Sequence, residues 1–250
     1  MLEVKNLTVS YASQSVLRDL FVCFKKGELT SVIGVNGSGK STLLKSILGI
    51  VSSGGGEVFA DGVNTFSMKK KERAQKISYL AQSKNVPEMT VEQMVLHGRF
   101  PYLSYPRRYS EKDRTIAAWA MEKTEIAHLA QKPMTALSGG MRQRAYLAMV
   151  LAQESDYILL DEPTSFLDVN HQIKCMKLLR ELAKEGKGIV CVMHDLPLAF
   201  DFSDRIALLD RGRIVRVSSP EELCKSFDLQ RVFGVSLDQS ATNGNYSYRF

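Results

Sequence analysis

The sequence has no apolar stretch long enough to cross a lipid bilayer. Its longest uninterrupted apolar run covers the eight residues 145–152, whereas a membrane-spanning helix needs about 20. Residues 1–6 (MLEVKN) include an early acidic side chain and no apolar block, so we expect neither a secretory signal nor a transit peptide. These absences predict a chain that stays in the cytoplasm and does not itself enter the membrane.

Cysteine is scarce, and its spacing forms no cluster. The four cysteines, at positions 23, 175, 191 and 224, include no C-x-x-C pair and no His-rich neighbourhood. Structural zinc sites and disulfide scaffolds depend on such clusters. We therefore expect reduced thiols with structural roles.

The charge imbalance is small. The chain has 33 Lys and Arg against 27 Asp and Glu, which gives a net charge of +6. Such a moderate excess would suit a nucleic-acid or membrane-surface partner, yet it is also common in proteins that bind neither. Charge alone therefore leaves both kinds of partner open.

The apolar pattern predicts an α/β protein of one large domain or two lobes. Of its 250 residues 44% are hydrophobic, which is typical of a globular fold. Strands are predicted at 2–9, 29–33, 157–160, 189–193 and 206–209, and helices between 111 and 152. Residues 210–213 (DRGR) indicate a hairpin turn, and the polar residues from 238 indicate a loose tail.

The most specific motif begins where the second predicted strand ends. Residues 34–42 (GVNGSGKST) fit G-x-x-x-x-G-K-[ST], and a helix is expected over 40–50. Glycines allow backbone N–H groups to converge on a phosphate at a helix N-terminus. Lys40 is expected to reach the β- and γ-phosphates, and Ser41 to supply a hydroxyl to Mg²⁺. The phosphate-contacting candidates are Gly34, Asn36, Gly37, Ser38, Gly39, Lys40, Ser41 and Thr42.

An apolar strand at 157–160 ends in two carboxylates, Asp161 and Glu162. Asp161 is expected to hold Mg²⁺ through water, as the acidic residue of P-loop ATPases does. Glu162 is placed to orient, and accept a proton from, the water that attacks the γ-phosphate. A solvated pair of acids is the alternative. The motif at residues 34–42, which is a P-loop, disfavours it.

A second glycine-bearing element lies far along the chain. Residues 137–144 (LSGGMRQR) place Ser138 as a helix N-cap and Gly139 and Gly140 where backbone N–H groups are exposed. Alone this is only a helix cap. Together with the P-loop it gives one chain two phosphate-binding elements.

The order of these motifs resembles the ATP-binding subunit of an ABC transporter from Leu2 to Val235. The resemblance implies an α/β P-loop NTPase core with a small antiparallel β subdomain and a helical lobe inserted at about 83–155. It implies a nucleotide-binding domain over 1–235 and a C-terminal tail over 236–250. It also implies ATP and Mg²⁺ as cofactors and a head-to-tail dimer, in which the LSGG segment of one copy faces the P-loop of the other.

The resemblance assigns roles to four further residues. Tyr11 lies where an aromatic ring stacks on adenine, and Gln82 where a glutamine contacts Mg²⁺ and the water. Asp168 matches the acidic residue that closes the D-loop, and His194 the switch histidine at the γ-phosphate. Two positions depart from the family pattern, Val35 in the P-loop (often proline) and Met141 in the LSGG segment (often glutamine). Neither change removes a needed hydrogen-bond donor, so small effects are expected.

Residues 91–101 (VEQMVLHGRFP) are similar to the V-x-x-G-R-x-P pattern of importers for iron-siderophores, haem and cobalamin. This implies a membrane permease partner, a periplasmic or surface substrate-binding protein, and a peripheral place on the cytoplasmic side of the inner (cell) membrane, without nucleic acid. Zinc or manganese importers and the cytosolic ABC ATPase of iron-sulfur cluster assembly are the alternatives. His97, Arg99, Arg107 and Arg108 are expected either on a solvated surface or lining a groove for a permease helix.

Overall fold

The computed structural model describes residues 1–11, 14–52, 54–82, 86–240 and 244–249. They form two compact units, the first made of Met1–Met68 with Leu179–Phe250 and the second of Lys69–Leu178. Within the described ranges, no helix combines the length and apolar character needed to span a membrane.

The elements alternate between strands and helices along the chain. In chain order they are β1 (Leu2–Tyr11), β2 (Gln14–Phe24), β3 (Leu29–Ile33), α1 (Lys40–Ile47), β4 (Gly55–Ala60), β5 (Val63–Asn64), α2 (Lys70–Lys76), β6 (Ile77–Leu80), α3 (Val91–Leu96), α4 (Glu111–Lys123), α5 (Gly139–Ala152), β7 (Tyr157–Asp161), α6 (Val169–Lys184), β8 (Gly188–Val192), α7 (Leu196–Phe202), β9 (Arg205–Asp210), β10 (Arg213–Ser218), α8 (Pro220–Cys224), α9 (Asp228–Phe233), β11 (Ser236–Gln239) and β12 (Tyr246–Arg249). The five predicted strands, the hairpin turn at 210–213 and helices between 111 and 152 are all present, which confirms the α/β prediction.

An antiparallel sheet in the first unit has the strand order β2-β1-β4-β5. Within β1 the side chains of Leu2, Val4, Leu7 and Val9 are fully buried. One face of such a sheet packs on the core while the other meets solvent. This sheet is the small antiparallel β subdomain that the sequence predicts.

Four other strands of the first unit follow the order β10-β9-β3-β8. Here β3 pairs in parallel with both β8 and β9. Every residue of β3 and β8 is buried, as is typical of parallel strands covered on both faces. Because β3 and β8 are parallel neighbours, the segments that follow them leave at the same edge.

The second unit repeats this arrangement with its own strand pair. Ile77 of β6 lies opposite Tyr157 of β7, and Leu80 opposite Leu160, in a parallel pair. The segments after β6 and β7, which carry Gln82 and Glu162, therefore also leave at one edge. Helix α5 packs against α3 and α4.

Helix α1 ends earlier than predicted, at Ile47 and not at residue 50. Gly49 adopts a left-handed conformation with φ of 64°, which its missing side chain permits. The N–H of Gly49 then bonds the Ser46 carbonyl, and the N–H of Ile50 bonds the Lys45 carbonyl. This pair of hydrogen bonds terminates helices. The apolar pattern alone therefore overestimated the length of α1.

The prediction of a loose tail from residue 238 is wrong for the described residues there. β11 and β12 pair in antiparallel register, with Leu237 opposite Tyr248 and Gln239 opposite Tyr246. Leu237 and Tyr246 are buried. Two apolar anchors in an otherwise polar segment are enough to hold it against the first unit.

Arg99 lies in the interior of the second unit, so the expectation that it lines a solvated surface or groove is wrong. Its side chain is 3% exposed, and its guanidinium donates to Asp113 at 3.0 Å, to the Ala152 carbonyl at 2.7 Å and to Glu154 at 2.8 Å. The guanidinium also lies 4.0 Å from the ring centroid of Tyr102. A buried cation persists only where it is paired and hydrogen-bonded in this way.

The buried arginine should contribute strongly to stability. Arg99→Met is expected to lower the free energy of unfolding by about 3 kcal/mol or more, because it leaves the buried Asp113 carboxylate without its charged partner. Urea unfolding of this variant and of the exposed control Arg114→Met measures the difference. Equal, small losses in both variants would show that the cluster adds little.

The loss of stability in Arg99→Met should depend on pH. Burial alone would raise the pKa of Asp113, but hydrogen bonds from Ser110 and the Arg99 guanidinium hold it below its ordinary value of 3.8. The stabilisation is therefore complete above 3.8 and disappears as the pH falls through the lowered pKa. The two variants should converge in stability under strongly acidic conditions.

Candidate functional site

The loop after β3 is shaped by glycines that side chains could not replace. A Cβ on Gly34 would lie 2.1 Å from the Leu209 carbonyl oxygen, and Gly39 has a φ of 108°. α1 begins at Lys40 with no side chain capping its first turn. The first N–H groups of α1 are therefore oriented for an anion, as in helix N-termini that bind phosphate.

Lys40 is the cation of this loop. It is only 6% exposed, and its Nζ donates to the carbonyl oxygens of Gly34 at 2.8 Å and Val35 at 3.1 Å. The Ser38 hydroxyl is buried and has no hydrogen-bond partner among the described residues. A buried orphan hydroxyl beside a lysine and open helix N–H groups fits the oxygens of a polyphosphate.

Two more predicted residues lie in the first unit. His194 is exposed and lies between the end of β8 and the start of α7. Just before it, the N–H of Met193 bonds the Val32 carbonyl at 3.2 Å, so the link follows β3 to the edge where the P-loop begins. Tyr11, at the end of β1, is 47% exposed, as a ring that stacks on a base must be.

Glu162 is the centre of the acidic group in the second unit. Its Oε2 accepts from Gln82 Nε2 at 3.0 Å and from the Ser165 hydroxyl at 3.0 Å. Glu162 has a φ of 54°, a strained backbone conformation of the kind found at functional sites. The structure therefore brings together Gln82 and Glu162, which are 80 positions apart in the sequence.

Asp161 is buried beside this group. It is 2% exposed and accepts a 3.3 Å bond from the hydroxyl of Tyr79. Burial and the nearby Asp161 charge raise the pKa of Tyr79 well above its ordinary value. The tyrosine therefore stays a neutral donor that orients the carboxylate.

Gln143 also supports Glu162, and motif spacing did not single it out. Its side-chain amide donates to the carbonyl oxygens of Glu162 at 3.2 Å and Pro163 at 3.1 Å. Gln143 lies on the first turns of α5, in the LSGG segment, where the sequence pattern assigns roles only to Ser138, Gly139 and Gly140. Tyr79 was missed because only the fold brings it to Asp161, 82 positions later. Ser165 lies three residues after Glu162, so its proximity was available from the sequence.

The LSGG element begins α5 as predicted. Ser138 caps α5 by accepting from the N–H of Met141 at 3.3 Å. A Cβ on Gly140 would lie 3.1 Å from the Phe166 carbonyl oxygen, and one on Gly139 would lie 3.4 Å from the Phe166 side chain. The ring of Phe166 is 76% exposed. The two glycines thus allow the backbone around Phe166 to lie directly on the start of α5.

Asp168 lies two residues after Phe166, immediately before α6. Its carboxylate accepts from the backbone N–H of His171 at 2.9 Å and lies 2.8 and 2.9 Å from the ring Nδ1 of His171. These two contacts, the backbone one first, lower the pKa of Asp168. The side chain is therefore ionised and fixed at the start of α6.

The donor set suits Mg²⁺ only together with a nucleotide. Among the residues that the structure describes, no three His, Cys, Asp or Glu side chains are grouped to hold a metal. Mg²⁺ is commonly bound by one or two protein oxygens plus phosphate oxygens and water. Ser41 in the first unit and Asp161 in the second each carry an oxygen of the kind that this ion prefers. None of the four cysteines, all of which lie in the described ranges, forms a disulfide.

Comparison with known proteins adds an independent finding. The family model described as ABC transporter matches residues 17–165. The chain is 38% identical over 239 residues to the iron(3+)-hydroxamate import ATP-binding protein FhuC of Bacillus subtilis (strain 168), covering 95% of this chain and 89% of FhuC. It is 39% identical over 233 residues to the ferric enterobactin transport ATP-binding protein FepC of Escherichia coli (strain K12), covering 92% and 86%.

Solved structures agree with the sequence comparison. A chain of a proposed metal-chelate type ABC transporter in an inward-facing conformation has a TM-score of 0.84 and 27% identity, covering 100% of this chain and 97% of that one. A dimeric ATP-binding cassette bound to ADP and Pi has a TM-score of 0.79 and 32% identity, covering 88% and 99%. The predicted resemblance and the predicted P-loop ATPase fold are thereby confirmed.

Proposed function

Because the chain belongs to the ATP-binding proteins of the ABC transporter family, we propose that it powers the import of an iron chelate through a separate membrane permease. The chain is an ATPase, as a member of this family. The choice of cargo rests on one observation. Over nearly its full length, the chain is similar to import proteins for iron(3+)-hydroxamate and ferric enterobactin.

ATP hydrolysis uses two sets of residues, and the first set binds the phosphates. The N–H groups of Gly37, Ser38 and Gly39, with Asn36 and Thr42 beside them, bind the phosphates, and Lys40 neutralises the charge that develops during transfer. Tyr11 stacks on the adenine ring.

A second set of groups acts on the attacking water. Glu162 orients this water and accepts its proton, while the bond from the γ-phosphorus to the bridging oxygen breaks and ADP leaves. His194 contacts the γ-phosphate. Ser41, Asp161 and Gln82 would hold Mg²⁺, which neutralises phosphate charge when bound.

The Ser138–Gly140 element completes the site of a second copy. In a head-to-tail dimer, its N–H groups face the γ-phosphate held by the P-loop of the other chain, and Asp168 closes the same interface. The dimeric cassette among the similar structures supports this arrangement. The two glycine-bearing elements of one chain thus serve two different ATP molecules.

A docking surface for the permease is formed by exposed residues of the second unit, namely His97, Phe100, Tyr105, Arg107 and Arg108. The His97 and Phe100 rings meet edge to face at 5.8 Å, and the Arg107 guanidinium lies 5.5 Å from the Phe100 ring centroid. Phe100 is 45% and Tyr105 97% exposed. Exposed aromatic rings with flanking arginines are typical of protein interfaces. The chain is thereby attached to the cytoplasmic side of the inner membrane, and the permease in turn receives cargo from a substrate-binding protein.

Phe100→Glu is expected to reduce chelate uptake at least about tenfold while basal ATP hydrolysis stays within about twofold, because it replaces the ring at the centre of the docking surface with a carboxylate. Uptake of radioactive ferric hydroxamate by cells that carry only the variant measures coupling. Phe227→Glu is the matched control, since Phe227 is 89% exposed and lies outside the docking surface. Equal uptake by both variants would rule out docking through Phe100.

Affinity purification tests the function itself. The tagged chain is isolated from detergent-solubilised membranes of iron-limited cells, and co-purifying proteins are identified. We expect a polytopic membrane protein and an ATPase activity that ferric hydroxamate stimulates in reconstituted vesicles. Recovery of only a soluble iron-sulfur assembly complex would overturn the importer proposal.

A further inference from the structure

We propose that a basic patch on the second unit binds the anionic headgroups of membrane phospholipids, beside the surface that docks to the permease. The basic patch consists of Lys69, Lys70, Lys71, Arg107 and Arg108. The inference rests on the membrane attachment proposed above. It adds the lipid itself, as a second partner, to the permease.

The excess positive charge of the chain is concentrated in one unit. The second unit contains 17 Lys and Arg against 12 Asp and Glu, whereas the first contains 16 against 15. Within the second unit, residues 69–73 (KKKER) and 107–108 (RR) together hold six cations and one carboxylate. A charge distribution this uneven creates a positive potential over one part of the surface, which attracts a polyanionic partner.

The two halves of the basic patch are joined by hydrogen bonds between α2 and the loop that precedes the two arginines. Lys71 Nζ donates to the Leu103 carbonyl at 3.0 Å. One turn later on α2, the side-chain amide of Gln75 donates to the Pro101 carbonyl at 2.8 Å. Residues that are 30 positions apart in the sequence therefore contribute to one continuous basic surface.

The charges of the basic patch are available to a partner. All five side chains are exposed, and the ion pairs among the described residues of this unit all involve other cations. The Arg107 guanidinium lies 5.5 Å from the centroid of the Phe100 ring. The basic patch therefore borders the docking surface, and the two arginines belong to both.

Helix stability does not account for the three lysines. Lys69 is the N-cap of α2, and Lys70 and Lys71 are its first two residues. The N-terminus of a helix carries a partial positive charge, so cations there destabilise the helix. Glu72 is the acidic residue in that turn and offsets only part of this effect. A cluster of lysines that opposes its own helix indicates a role outside the fold.

The position beside the docking surface favours a lipid over a nucleic acid. A permease docked through Phe100 places this part of the chain at the bilayer, where anionic lipids give the cytoplasmic leaflet a negative surface potential. The attraction acts within a Debye length of about 8 Å at physiological ionic strength. Each Lys or Arg in that range strengthens binding about fivefold. Such attraction also concentrates the chain at the membrane, which speeds its encounter with the permease.

The test measures co-sedimentation of the full chain with vesicles made of equal parts phosphatidylglycerol and phosphatidylcholine, without permease or nucleotide. Lys69→Gln with Lys70→Gln should weaken binding about tenfold or more, because two of the five cations are removed. Lys123→Gln with Lys132→Gln is the matched control, since it removes two exposed lysines of the same unit. We expect the control to bind like the unmodified chain. Equal weakening in both double variants, or no binding by the unmodified chain, would overturn the inference.

Salt and lipid composition test the nature of the contact. Raising the salt concentration from about 0.1 M to about 0.5 M should reduce binding several-fold, because the attraction is screened. Vesicles of phosphatidylcholine alone present phosphate groups without net charge and should not bind. Equal binding to these vesicles would contradict the inference. Tighter binding to single-stranded RNA than to the anionic vesicles, lost in Lys69→Gln with Lys70→Gln, would assign the basic patch to a nucleic acid and also overturn it.

Two further measurements separate this inference from the proposed function. ATP hydrolysis by Lys69→Gln with Lys70→Gln should stay within about twofold of normal in solution, which shows that the variant is folded. Vesicle binding without the permease tests the lipid contact, whereas uptake by Phe100→Glu tests docking. If the unmodified chain does not bind anionic vesicles while Phe100→Glu loses uptake, only the lipid inference fails. If it binds them through the lysines while Phe100→Glu takes up chelate normally, the lipid contact is supported and docking through Phe100 fails.

Discussion

Lys40→Ala should reduce ATP hydrolysis about 100-fold or more, because it removes the preorganised positive charge that faces the β- and γ-phosphates. Lys40 is 6% exposed, and its ammonium is held by the Gly34 and Val35 carbonyls. A charge in such a water-poor loop is worth far more than one on the surface. ATP affinity should fall as well, since the same charge contacts the ground-state phosphates. Phosphate release and nucleotide titration measure the two effects.

Lys45→Ala is the matched control for this result. Lys45 lies in the last turn of the same helix, α1, so the substitution changes the net charge and the helix equally. It should leave hydrolysis within about twofold, as surface changes away from a site usually do. Hydrolysis by Lys40→Ala at the rate of this control would mean that the loop is not the phosphate site.

Glu162→Gln should lower hydrolysis to a similar extent and stabilise an ATP-bound dimer. The amide has the same shape, so its oxygen can still accept from Gln82 and from Ser165. It cannot accept the proton of the attacking water. Nucleotide binding is preserved while the chemical step is blocked, so closed dimers accumulate in the presence of ATP. Size-exclusion chromatography with ATP and Mg²⁺ detects them.

Glu181→Gln, on the exposed face of α6, makes the same chemical change outside the site. It should hydrolyse ATP at the normal rate and remain in its usual oligomeric state. Two results would refute the role of Glu162: hydrolysis by Glu162→Gln at the rate of this control, or the absence of dimers despite tight ATP binding.

Local features could be predicted from the sequence because their causes are local. The strand over Leu29–Ile33 is bounded as expected, since five buried residues are followed directly by a glycine-rich loop. Ser138 caps α5 as predicted, because an N-cap needs only the residues of the first turn. The P-loop, with Lys40 at the start of α1, could be predicted for the same reason.

Long-range contacts outside the family motifs could not be predicted. Arg99 looked like a surface residue because its partners Asp113 and Glu154 are 14 and 55 positions away. The strand pair looked like a loose tail because its anchor at Asp201 lies 45 positions before Tyr246. A single sequence contains no signal that identifies such pairs, so both corrections needed the fold.

The hydrogen bonds of Lys40 to its own loop have a thermodynamic consequence for nucleotide exchange. Freezing a lysine side chain costs about 2 kcal/mol of rotamer entropy. The Gly34 and Val35 carbonyls already hold Nζ at 2.8 and 3.1 Å, so this ordering takes place when the protein folds and not when ATP arrives. Preorganisation of this kind increases affinity without adding contacts. We therefore expect the loop to keep its shape between turnovers, with each new ATP exchanging the carbonyl partners of Nζ for phosphate oxygens.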